Sequence, residues 1–205
     1  MKGNTQNKAV YLRCKQALLS LVKKMPFDSV GIKDVVSECG FSRQYFYRFY
    51  ASKFDLVYDI FEEGFLAAVN IFTFNRSIPQ LLREIEKNAF LYRKIMESSY
   101  AFDLYRLFLT AGKASAIVLA EAAFIRKFTS EQEATIDFLF HGMASVLFER
   151  LMTGKPLEKA NLTLNIAEGL SRDIDFLFKE EATAEQIVYK LRRLYFEKRR
   201  VIDAN

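Results

Sequence analysis

The stretch SRQYFYRFYASK, residues 42–53, sets an arginine and a glutamine directly behind a serine and follows them with tyrosines and further cations. Arg43 can make paired hydrogen bonds to guanine O6 and N7, and Gln44 can do the same with adenine N6 and N7. The hydroxyls of Tyr45 and Tyr47 and the ammonium of Lys53 suit phosphate oxygens, which accept from such donors whatever the base sequence. Lys33 and Arg48 add two cations, and the set as a whole fits contact with double-stranded DNA. Catalytic chemistry has no comparable set. His141 is the single histidine, with no second histidine or close carboxylate cluster to make a metal site or a dyad. Cys14 and Cys39 lack metal-ligand spacing, and there is no glycine-rich phosphate loop. The expectation is a non-enzyme with no catalytic residue, no metal and no cofactor.

Short helices must position the DNA-contacting set. The rhythm Val10, Cys14, Ala17, Leu18, Leu21 predicts a helix over residues 8–24 with Cys14 on its buried face, ended by Met25-Pro26. A second helix over residues 32–38 turns Val35 and Val36 inward, and Gly40 supplies the left-handed residue that stops it. Ser42 caps a third helix through Tyr50, so that Arg43 and Gln44 project from its first turn while Phe46 and Phe49 face inward. Ser52 and Asp55 then form a capping box that opens a long helix to residue 72. Two short helices across a glycine turn, braced by an earlier one, make a helix-turn-helix head.

The head is expected over residues 1–53 and a helical body over residues 54–205. Only 8 glycines and 3 prolines in 205 residues favour long helices over many short strands, so the fold class is all-α. Charge divides in the same place. Residues 1–53 hold ten Lys and Arg against three Asp and Glu, a net of +7, while the remainder holds 20 against 22, a net of −2. That asymmetry suits a polyanion-binding head on a neutral body, though a basic solvated face gives the same numbers. No apolar run reaches a membrane span of roughly 18 residues. The start of the chain lacks the apolar stretch and cleavage site of a signal peptide, so a cytoplasmic protein with no membrane partner is expected.

Body helices are predicted over residues 78–97, 101–111, 113–127, 131–153, 158–179 and 184–200, with capping boxes Ser130/Glu133 and Thr183/Gln186. The fifth and fourth of these carry apolar seams. Phe138, Ser145, Phe148 and Met152, with Leu162, Ile166 and Leu170, can meet their counterparts across a twofold axis and make a homodimer. The alternative covers one stripe with the C-terminal helix. Phe65, Phe72, Phe102, Tyr105 and Phe108, with His141, can line a pocket for an effector, and plain core packing fits them about as well.

FDSVGIKDVVSECGFSRQYFYRFYASKFDL, residues 27–56, resembles the N-terminal signature of TetR-type transcription regulators. The pattern matches at Phe27, Ile32, Asp34, Val35, Gly40, Ser42, Phe46, Tyr47, Ser52, Lys53 and Leu56. The resemblance implies an all-α homodimer on a pseudo-palindromic DNA operator, controlled by a small-molecule or protein effector, with repression favoured over activation. It implies phosphate contacts at Tyr47 and Lys53 and base contacts near Arg43, Gln44 and Tyr45. Gly31 stands where the family has a capping threonine, so a phosphate there meets the bare helix N-terminus. LVKKMPFDSVGIKDV, HGM and GKP are similar to the branch containing the activator of dihydroxyacetone kinase operons, where the effector can be a kinase-like protein. That branch's usual tryptophan is absent, with Ile60 in its region. The competing reading is a helical module that binds a ligand or protein and reads no operator.

Overall fold

The computed structural model describes residues 2–157 and 174–202. The described fold is helical apart from one two-residue antiparallel pair, β1 (Ile71–Phe72) with β2 (Ala182–Thr183), in which Ile71 faces Thr183 and Phe72 faces Ala182. The helices in chain order are α1 (Lys2–Lys24), α2 (Ile32–Cys39), α3 (Arg43–Phe46), α4 (Lys53–Ala68), α5 (Phe74–Lys87), α6 (Ala89–Met96), α7 (Ala101–Ala122), α8 (Ser130–Thr153), α9 (Phe176–Lys179) and α10 (Ala184–Ile202). No described helix is long and apolar enough to cross a membrane.

The chain forms two compact units. One comprises Met1–Glu63 and Phe90–Phe102, the other Gly64–Ala89 and Asp103–Asn205. In the first, Cys14 and Leu18 of α1 and Val35 of α2 are fully buried, with Leu91 and Ile95 of α6. In the second, Leu104, Leu107 and Leu119 of α7 are buried, as are Ile136, Leu147 and Leu151 of α8 and Ile187 and Leu191 of α10.

Several elements differ from expectation for identifiable reasons. The expected helix over 78–97 is two helices. It starts earlier, at Phe74, where the Thr73 N–H donates to Ser77 Oγ at 3.0 Å, and it breaks at Asn88, whose backbone leaves the helical region. The helices expected over 101–111 and 113–127 are one, because α7 runs through Gly112. A Cβ there would lie 2.3 Å from the Phe140 ring, so the glycine is a packing notch and not a stop. The chain leaves α7 through Phe124, at φ 60°, with the Ile125 N–H donating to Ala120 O at 2.8 Å and the Phe124 N–H to Glu121 O at 3.1 Å. This is the paired C-terminal closure in which glycine is usual. The α8 cap is Thr129 with Gln132, one residue before the expected pair. Thr183 and Gln186 cap α10 as expected, each side chain holding the other's N–H. Helix α4 stops at Ala68 and gives way to β1, short of residue 72. The expected helix over 158–179 lies outside the described residues for 158–173.

Candidate nucleic-acid interface

The local chemistry that builds the 27–56 stretch is visible bond by bond. Gly40 sits at φ 71°, ψ 30°, a left-handed conformation that costs glycine nothing, and the Phe41 N–H returns to Val36 O at 2.9 Å. Ser42 Oγ accepts from the Tyr45 N–H at 3.1 Å, as a cap should. Regular helix then ends at Phe46, earlier than the expected Tyr50. Beyond it Arg48 N donates to Tyr45 O and Phe49 N to Phe46 O, the tighter three-residue spacing, while Tyr50 N reaches Phe46 O at 3.1 Å. The turns let the aromatic run serve two purposes. Phe46 and Tyr50 are buried with ring centroids 5.2 Å apart, while Tyr45 lies between Phe41 and Phe49 at 5.2 and 5.4 Å. Phe49 is half-buried rather than fully inward.

Polar candidates separate by exposure. Ser42, Arg43, Gln44 and Arg48 are exposed, and Tyr47 is 55% exposed with its ring edge-on to Phe46 at 5.8 Å. Tyr45 is half-buried. Lys33 is exposed on α2. The first turn of α3 thus presents a guanidinium and a carboxamide side by side, next to a hydroxyl and a second guanidinium.

Two groups expected at phosphate have hydrogen-bond partners within the chain. The Gly31 N–H donates to Asp34 Oδ2 at 2.9 Å, so a carboxylate already holds the amide that was expected to meet phosphate. Lys53 is buried, and its Nζ donates to the carbonyls of Phe27, Asp28 and Val30 at 2.6, 3.2 and 2.9 Å. It also lies 4.5 and 4.9 Å from the ring centres of Phe27 and Tyr100. An ammonium has three donors, and three carbonyls take them. The side chain stitches the 3-10 turn Phe27–Ser29 to the start of α4 instead of reaching outward. Burial pulls its pKa below the usual lysine value, and the Asp28 charge partly offsets that.

Asp28 and Ser99, which the sequence analysis did not single out, complete this knot. Ser99 donates its Oγ hydrogen to Asp28 Oδ1 at 2.7 Å and its N–H to both carboxylate oxygens at 3.2 and 3.1 Å. These bonds hold the Asp28 carboxyl below its ordinary pKa. Tyr100 stacks on Phe54 at 6.0 Å and meets Phe27 edge-on at 5.3 Å. No local signal marks Ser99, because it lies 71 residues from Asp28 in sequence. A second tie runs from α1 to α4: Tyr11 donates to Glu63 Oε2 at 2.5 Å and Lys15 pairs with the same oxygen. Burial alone would raise the Glu63 pKa; these two partners outweigh it and hold it low.

In the second unit the candidate effector residues fall into two groups by their described contacts. Phe65 and Phe72 are buried and stacked at 5.8 Å. Tyr105 OH is 2.9 Å from Nδ1 of the exposed His141, and the rings of Tyr105 and Phe108 stand edge-on to Phe148 at 5.4 and 5.5 Å. Phe102 belongs to the other unit and is exposed. Among the candidate interface residues of α8, Phe138 is 73% exposed, Met152 49%, and Ser145 is exposed, while Phe148 is half-buried against Tyr105 and Phe108. Leu162, Ile166 and Leu170 lie outside the described residues. No group of three or more His, Cys, Asp or Glu converges as a metal site among the described residues.

No protein-family model matches the chain, and no curated protein matches it by sequence. A solved structure does match in shape. The dihydroxyacetone kinase operon activator DhaS aligns with a TM-score of 0.56 at 19% identity, over 77% of this chain and 93% of that one. At that identity the likeness is one of fold.

Proposed function

We propose that this protein is a DNA-binding transcription regulator of the TetR type, with α2 and α3 as its helix-turn-helix and α3 as the element that enters the major groove. The observation that carries the reading is the first turn of α3: capped by Ser42, it presents Arg43 and Gln44 to solvent at the position from which a recognition helix reads bases. The +7 charge of residues 1–53 and the shared fold with an operon activator support it. Tyr47, Arg48, Lys33 and Tyr45 supply backbone contacts in this reading, and Lys53 holds the frame behind them. The functional form is a homodimer joined through α8, and the effector is a small molecule or a protein acting on the second unit.

A gel shift against the DNA flanking the protein's own gene, run at two salt concentrations, tests it. A specific band that weakens steeply with salt is expected. Absence of any sequence preference would favour the helical binding module that reads no operator. Repression, expected from the sequence, is set against the activation named for DhaS by a reporter driven from the bound site.

A further inference from the structure

Cys14 on α1 and Cys39 at the end of α2 are the two cysteines of the chain, both free and both buried, with their sulfurs 3.9 Å apart. We propose that they form a dithiol site that a hydroperoxide converts to an intramolecular disulfide, Cys39 reacting first and Cys14 resolving. The inference does not depend on the DNA-binding reading.

Three features carry it. The sulfurs need to approach by about 2 Å to reach bonding distance, and the Cys39 end of that contact is the last residue of α2, beside the left-handed Gly40. Access differs between the two. Cys39 lines a surface cleft of about 360 Å³ together with Arg13, Gln16, Ala17 and Ser20 of α1 and Glu38 of α2, whereas Cys14 is fully buried. A hydroperoxide, little larger than the ~30 Å³ share of a water molecule, fits that cleft easily. The surroundings of the two thiols differ as well. Arg13 lies in the cleft, and the Glu38 carboxylate is engaged by Ser20 Oγ at 2.9 Å and by Lys24 Nζ at 3.5 Å. Burial, with the neighbouring Cys39, pushes the Cys14 thiol up to about 12, so it is a poor first nucleophile.

The chemistry balances in two steps. The Cys39 sulfur, having released its proton, attacks one peroxide oxygen; the O–O bond breaks, Cys39 becomes a sulfenic acid, and the other oxygen leaves as water or alcohol with that proton. Cys14 sulfur then attacks Cys39 sulfur, the S–O bond breaks, and hydroxide departs as water with the Cys14 proton. Two thiols are oxidised and one peroxide is reduced.

The test uses the whole protein. After treatment with hydrogen peroxide, titratable thiols should fall from two per chain to none, and digestion should yield one peptide pair linking Cys14 to Cys39, reversed by dithiothreitol. Cys14→Ala should accumulate a dimedone-trapped sulfenic acid at Cys39, and Cys39→Ala should leave Cys14 unmodified. Retention of both thiols in folded, peroxide-treated wild type overturns the proposal, and so does a disulfide that links two chains. Because the deciding measurement is on the unaltered protein, poor folding of either variant does not obscure it.

Discussion

Arg43 and Lys53 are both basic residues of the same short stretch, yet one is exposed and the other buried. Arg43 and Gln44 are exposed on the capped turn of α3. Replacing either with alanine should relax operator preference at one base position by about 1–3 kcal/mol and leave the salt slope nearly intact, as read by gel shifts on a panel of operator variants. Unchanged preference for Arg43→Ala would remove α3 as the base-reading element. Lys53 was expected at a phosphate, but its three donors go to the carbonyls of Phe27, Asp28 and Val30. Lys53→Met keeps the packing stem and strips those acceptors, so it should lower unfolding stability on the order of 1–3 kcal/mol in urea titrations. Operator affinity per folded molecule should change less than it does for Arg43→Ala. A variant as stable as wild type would mean that the knot does little for the fold.

Element by element, what the sequence disclosed was whatever is decided within a few residues. The caps at Ser42, Ser52 with Asp55, and Thr183 with Gln186 follow from side chains and backbone three residues apart, and each is present. So does the left-handed Gly40. What it hid was decided at a distance. Gly112 reads locally as a helix stop, but its meaning is set by Phe140 on another helix. The β1–β2 pair joins residues more than a hundred positions apart, and nothing near Ile71 announces it. Lys53 looks like a surface cation until Tyr100 and the carbonyls of the Phe27–Ser29 turn are placed around it. The α7–α8 contact offers a direct check. Gly112→Ala puts a methyl carbon into the Phe140 ring, and the overpacking should cost about 1–3 kcal/mol by thermal or urea unfolding, although alanine is the better helix former. A stabilised variant would show that Phe140 moves aside freely.

At the scale of the molecule, the proposed dimer depends on what covers α8. Phe138 and Met152 are large apolar side chains left in solvent on that helix. Phe148 is partly committed to Tyr105 and Phe108 within its own unit, so a charge there would disturb the core as well. The clean probe is Phe138→Asp with Met152→Asp, which should convert a sedimenting dimer to a folded monomer and abolish specific binding, since two half-sites must be gripped together. Wild type that sediments as a monomer at micromolar concentration would remove the dimer. The division of the chain has a further effect. The first unit takes Phe90–Phe102 as well as Met1–Glu63, so a fragment ending at residue 63 carries all of α2 and α3 but lacks Ser99 and Tyr100. Such a fragment should unfold at lower urea than a chain that contains both. For the growing polypeptide, translation of the 39 residues from 64 to 102 occupies about 2–8 s, far longer than a small helical assembly needs to fold. Throughout that interval every base-contacting candidate has been synthesised but not Tyr100, whose ring stacks on Phe54 and meets Phe27 edge-on. The first unit is therefore complete only when a later stretch of message has been read.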